Sequence, residues 1–203
     1  MNESRCRDRS AARPMVVALV VVLASVLAAG QPAGADGGAK NVVLAHNQRD
    51  GREMVRTKLQ VARLASPTVA PENLAVARAS CSDCRTVGVA VQVVLVTGGG
   101  DTLSPQNAAV ALNEGCVRCE TFAAAYQYVV SADRSVTFSA EGRQRIDQLA
   151  AQIDAVAASD LEFPALEAEL DRLSAELFAV VDAEIARAGA RATGAPTSHA
   201  QAA

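Results

Sequence analysis

The sequence predicts an α+β fold: antiparallel strands built from a duplicated, Cys-x-x-Cys-containing hairpin unit, followed by a C-terminal antiparallel helical hairpin. Three observations lead there. "PENLAVARASCSDCRTVGVAVQVVLV", from Pro71, aligns with "PQNAAVALNEGCVRCETFAAAYQYVV", from Pro105, with one extra residue before the second Cys pair. Val87, Val89, Val91, Val93 and Leu95 share one parity, which is the period of a strand. Beyond Ser139 the apolar residues recur at steps of three and four, which is the period of a helix.

In chain order, residues 1–35 read as a signal peptide. Arg5, Arg7, Arg9 and Arg13 precede an uncharged apolar run from Met15 to Gly30, and Ala33 and Ala35 supply small residues for a cut before Asp36. A spanning helix needs ~20 apolar residues, which this run does not reach. Cys6 would leave with the leader. Residues 36–188 are then one secreted domain. "NVVLAHN" (Asn41 to Asn47) is a weaker, cysteine-free third echo of the repeat. After "QRDG", the residues Val55, Thr57, Leu59 and Val61 alternate with Arg56, Lys58 and Gln60, giving a half-buried strand beside an Asp-Gly turn. The repeat units span 71–96 and 105–130. In each, a strand on either side places the Cys-x-x-Cys at the tip of a hairpin. A helical reading of the units competes, because Pro71-Glu72 and Ser104-Pro105 resemble helix starts.

The last third is helical, over 140–188. Ile146, Leu149, Ile153 and Val156 form one apolar stripe, and Leu166, Leu170, Leu173, Leu177 and Val180 form a second. Ser139 caps the first helix. Ser159 and Glu162 suit a capping box for the next, with Pro164 in its first turn. The short connection makes the two antiparallel neighbours. Residues 189–203, small and polar, are expected to be disordered.

The chain carries 19 Lys and Arg against 22 Asp and Glu, and the leader removes four of the arginines. No basic cluster survives, which argues against nucleic acid and, after leader cleavage, against an anionic membrane surface. All the Phe and Tyr residues lie at or beyond Phe122, so the first half must pack with Val, Ala and Leu.

Cys81, Cys84, Cys116 and Cys119 remain after cleavage. In an exported chain they favour structural disulfides, with three connectivities open. The same four thiolates could hold zinc, or one pair could exchange thiols and disulfides. Neither alternative has strong sequence support: the spacing between the pairs is long for a zinc ribbon, and no thioredoxin-like Trp surrounds them. No His-Glu-x-x-His or Gly-x-Ser-x-Gly is present, and "GGGD" lacks the Gly-Lys-Ser/Thr of a phosphate loop. No catalytic or cofactor-binding residue is therefore assigned. His46 and His199 read as solvated residues.

"SPQNAAVALNEGCVRCETFAAAYQYVV", followed by "VTFSAEGRQRI" and two helices, resembles an uncharacterised family of secreted actinobacterial proteins with repeated Asn-x-Ala-x-Ala, Cys-x-x-Cys and Ala-Tyr-Gln motifs. Related segments are attached to, or described as, peptide zinc metalloproteases. The likeness covers roughly Asn41 to Ile185. It implies an extracellular or cell-envelope location and brings no catalytic residue. The expected function is an exported, non-enzymatic, disulfide-stapled module that binds a protein or envelope component. An extracytoplasmic thiol-redox or zinc-binding protein, or an accessory segment of an envelope protease system, is the alternative. Export predicts that the chain recovered from culture supernatant begins at Asp36, which amino-terminal sequencing checks.

Overall fold

The computed structural model describes residues 38–98 and 102–203; the expected signal peptide lies outside them. The described chain runs β1 (Lys40–Asn47), β2 (Glu53–Leu64), β3 (Thr68–Val69), β4 (Glu72–Ala79), β5 (Arg85–Thr97), β6 (Thr102–Leu103), β7 (Gln106–Asn113), β8 (Glu120–Ala132), α1 (Ala140–Ala157), α2 (Phe163–Arg187) and β9 (Ala192–Ala202). It is a mixed α+β protein, mostly strands, with two helices.

The repeats are stacked rather than folded into hairpins. One sheet has the order β1-β4-β7, a second β2-β5-β8-β9, and a third β3-β6. Every pairing is parallel except that of β9 with β8. The chain thus winds as a solenoid of three coils, each sending one long strand to each of the two main sheets. The expected antiparallel hairpin is corrected on this point: β4 does not pair with β5 but lies between β1 and β7. Period-two patterning marks strands without fixing their direction. The better signal is that β5 is buried on both faces along nearly its whole length, as strands of parallel sheets are. The helical reading of the repeats is likewise excluded. "NVVLAHN" is the first strand of a full coil, not a remnant.

The register brings like residues onto like: Asn41 on Asn73 on Asn107, and Gln60 on Gln92 on Gln127. The amides bond along the stack. Asn41 Nδ2 donates to Asn73 Oδ1, and Asn73 Nδ2 to Asn107 Oδ1, each at 2.8 Å. Gln127 Nε2 donates to Gln92 Oε1 at 2.8 Å, and Gln92 Nε2 to Gln60 Oε1 at 2.9 Å. The same amides reach backbone carbonyls across the interior: Asn73 bonds Ala90 and Tyr126, and Gln92 bonds Ala39. Between the main sheets the remaining inward side chains are small, chiefly Ala45, Ala75, Ala77, Ala90, Ala111, Ala123 and Ala125. A Cβ at Gly88 would lie 3.2 Å from the Val76 carbonyl oxygen, so the sheets are as close there as a residue without a side chain permits.

The outer face of the second sheet carries the large residues. Val87, Val91, Phe122, Tyr126 and Tyr128 pack against Leu149, Leu170, Leu173 and Leu177 of the helical hairpin. Val181 takes a fully buried position while the expected Val180 is half-buried. Ser139 caps α1 as expected, its Oγ accepting from the Gly142 N–H. The Ser159–Glu162 capping box does not form. Glu162 occupies the cap position without a side-chain bond, and Ser159 Oγ instead donates to the Val156 carbonyl at the end of α1. Pro164 sits in the first turn of α2. Glu184 of α2 completes the start of α1, accepting from the Ser139 N–H at 2.5 Å and from its hydroxyl at 2.8 Å.

The tail is not disordered: β9 runs antiparallel along the open edge of β8. Its side chains are exposed and contribute little packing, so the backbone ladder holds it. Asn107 donates to the Thr197 carbonyl and Gln201 Oε1 accepts from the Ala111 N–H, so β9 also closes the last rung of the first sheet. Among the described residues no helix is long and apolar enough to cross a membrane.

Replacing Gln92 with Leu keeps the volume but takes the donor from Gln60 Oε1, one acceptor from Gln127 Nε2 and the side-chain bonds from the Ala39 and Glu72 carbonyls. A loss of about 3 kcal/mol is expected. Gln144→Leu, on the exposed face of α1, should change stability by no more than about 0.5 kcal/mol. Urea denaturation midpoints measure both.

Candidate functional site: the cysteine corner

The turn from the first main sheet to the second recurs in all three coils. Arg85 pairs with Glu53 and with Glu120, which aligns Arg49–Arg52, Cys81–Cys84 and Cys116–Cys119 as successive rungs. The third residue of each turn, Gly51, Asp83 or Arg118, has a positive φ of 63°, 52° and 52°. Glycine adopts this conformation freely, whereas Asp and Arg do so at a cost of order 1 kcal/mol. The first coil uses glycine and no cysteines. The other two place a non-glycine residue there and flank it with Cys on both sides.

The turns are also bonded rung to rung. The Gly51 N–H donates to the Ser82 carbonyl, and the Asp83 N–H to the Val117 carbonyl. Asp50 Oδ1 accepts from the Ser82 N–H at 2.7 Å. Arg118 grips Asp83 with both fork nitrogens, at 2.5 and 2.6 Å. That hydrogen bond holds the Asp83 carboxyl below its ordinary range and raises the Arg118 guanidinium.

All four sequence-predicted cysteines meet at this corner. The two sulfurs of each Cys-x-x-Cys lie at bonding distance, with Cα–Cα separations of 6.2 Å for Cys81/Cys84 and 6.0 Å for Cys116/Cys119. The sulfurs brought close are those within each motif, which matches one of the three connectivities the sequence leaves open. The two pairs touch: Cys84 Sγ lies 3.5 Å from Cys119 Sγ. Cys81, Cys84 and Cys119 have their sulfurs within 4.8 Å of one another, a group that does not include Cys116. A four-thiolate zinc site needs Zn–S bonds of about 2.3 Å and hence sulfurs well beyond bonding distance of each other. The arrangement does not suit zinc on these four residues. Cys81 and Cys84 are 4% exposed, while Cys116 and Cys119 are half-buried.

A cleft of about 460 Å³ opens beside Cys119, walled by Arg85, Phe163, Pro164 and Ala203. Arg85 is fixed there on several sides. It donates to Glu120 Oε2 at 2.9 Å and to the Leu161 carbonyl at 2.6 Å, and its guanidinium stacks 4.6 Å over the Phe163 ring. Neither Arg85 nor the Asp83–Arg118 clasp stands out in the sequence as functional; their only mark is their repeat position beside a cysteine. His46 is half-buried and shares a contact of 3.3 Å with Ser80 Oγ, and His199 lies exposed on β9, so neither joins the corner.

A second cleft, of about 370 Å³, lies between α2 and β9. There the Tyr126 hydroxyl donates to Asp171 Oδ1 at 2.8 Å. Burial, then this bond to a carboxylate, pushes the Tyr126 hydroxyl well above its ordinary pKa, so it stays a proton donor throughout the physiological range.

The geometry defines a three-coil parallel β-solenoid with a cysteine ladder at one corner. No family model, curated protein or solved structure matches the chain.

A bridge within Cys-x-x-Cys closes a very short loop and restrains the unfolded chain by about 2 kcal/mol, roughly half of what a coil-to-coil bridge would contribute. Full reduction with dithiothreitol should therefore lower the melting temperature by roughly 10 °C while the solenoid's circular dichroism persists at room temperature.

Proposed function

We propose that this protein is an exported, non-enzymatic module, stapled by Cys81–Cys84 and Cys116–Cys119 as disulfides, that binds a protein or cell-envelope component through the outer face of its first sheet. The observation that carries the reading is the composition of that face. Two apolar rows run across it, Val42–Leu74–Ala108 and Leu44–Val76–Val110. Val42 is 47% and Leu44 63% exposed. The helical hairpin covers the second sheet, and no described residue covers this one in the same way. Parallel sheets are ordinarily buried on both faces, so an open apolar one marks an interaction surface.

The cysteine pairs support the stapled state, because each lies at bonding distance and holds a turn whose third residue is in the left-handed region. An oxidising location follows from that state. It agrees with the leader and with the resemblance to secreted actinobacterial proteins.

Two measurements test this reading. The exported wild-type protein should show no free thiol by Ellman titration under denaturing conditions. Leu44→Glu, which leaves the core untouched, should keep the wild-type melting temperature and lose most of its sedimentation with isolated cell envelopes of the producing strain. Four free thiols, or undiminished binding by Leu44→Glu, would refute the respective half of the proposal.

A further inference from the structure

We propose that the two cysteine pairs form one exchange unit, in which an external dithiol entering the cleft at Cys119 reduces the half-buried pair and the electrons then pass to the buried pair. This rests on the disulfide state argued under the proposed function and adds an activity to it.

The geometry points this way on two counts. Cys84 Sγ and Cys119 Sγ are in contact at 3.5 Å, and because Cys81 Sγ also lies within 4.8 Å of Cys119 Sγ, a rotation of the Cys119 side chain is what brings it in line with the Cys81–Cys84 bond. The pairs differ in access: Cys81 and Cys84 are 4% exposed, and only Cys119 of the four lines the open cleft. Arg85, Glu120 and Glu162 also line that cleft, the Arg85 guanidinium donating to Glu120 Oε2 at 2.9 Å.

The steps balance. One thiolate of the external dithiol attacks Cys119–Cys116, its second thiol resolves the mixed disulfide, and the dithiol leaves oxidised while Cys116 and Cys119 become thiols. The Cys119 thiolate then attacks Cys84 Sγ. The Cys84–Cys119 bond forms, the Cys81–Cys84 bond breaks, and Cys81 leaves as a thiolate that takes up the proton Cys119 released. Finally the Cys116 thiolate attacks Cys119 Sγ, restores Cys116–Cys119 and expels Cys84 as a thiolate, which is protonated in turn. Two electrons and two protons have moved from the reachable coil to the buried one.

Cys81→Ser isolates the central step, because it leaves Cys84 as the one free sulfur of the corner. Exchange predicts that Cys84 attacks Cys119 and releases Cys116. Iodoacetamide label on the folded variant, mapped by non-reducing digestion and mass spectrometry, should then shift from Cys84 to Cys116, with a Cys84–Cys119-linked peptide. Label confined to Cys84, with Cys116–Cys119 intact, overturns the proposal. If the variant does not fold, wild-type protein given limiting dithiothreitol and quenched in acid decides the matter. A Cys84–Cys119-linked peptide in the time course supports exchange, and its absence refutes it. The thiol count of untreated wild type keeps the two readings apart. No free thiol with negative mapping removes exchange and leaves stapling, whereas four free thiols remove both.

Discussion

The structure depends on the stacking of identical amides in a narrow interior. A solenoid coil can bury a polar side chain against its own copy in the next coil. Asn and Gln suit that place because each amide carries both a donor and an acceptor, so one rung bonds the next without a change of residue. Asn73 and Gln92 each serve a neighbour above, a neighbour below and carbonyls of the surrounding backbone. A shift of one residue in any coil would turn its amide to the other face and deprive the buried amides of the neighbouring coils of their partner. The amides therefore set the register that the alanines alone would leave slack.

The interior could not be built of larger residues. Gly88 and the alanines let the two main sheets approach, and the amides then span the gap. Bulk is displaced to the other side of the second sheet, where the aromatics and the leucine stripes of the helices meet. The asymmetry leaves one sheet sandwiched and the other with an open apolar face. β9 resolves a further demand of the architecture. A stack of parallel strands ends in unpaired backbone, and an antiparallel strand containing Pro196 covers that end while offering a poor template for another chain.

The cysteine corner follows from the same repetition. Once coils stack in register, residues at one repeat position are brought into contact, and two Cys-x-x-Cys motifs become a ladder of sulfurs. The left-handed residue in each turn shows why the motif belongs there. The first coil adopts the conformation with Gly51, while the others place Asp83 and Arg118 in it and hold them between paired cysteines and a two-pronged ion pair. The sulfurs of the two motifs are thereby brought into contact with one another.

Much of this was legible in the residues alone. The duplication, the strand identity of its halves, the helical hairpin and its Ser139 cap follow from local pattern, because period, β-branching and capping chemistry act over a few residues. The four cysteines and the equivalence of Asn73 with Asn107 and Gln92 with Gln127 were visible as repeat positions. Their meaning was not, since a repeat states which residues correspond and not whether the copies fold back or stack. Strand direction, the contact of one cysteine pair with the other, the path of β9 and the cleft at Cys119 are contacts between residues tens of positions apart. Only the closing of the coils, which aligned each buried amide with its copy, decided them.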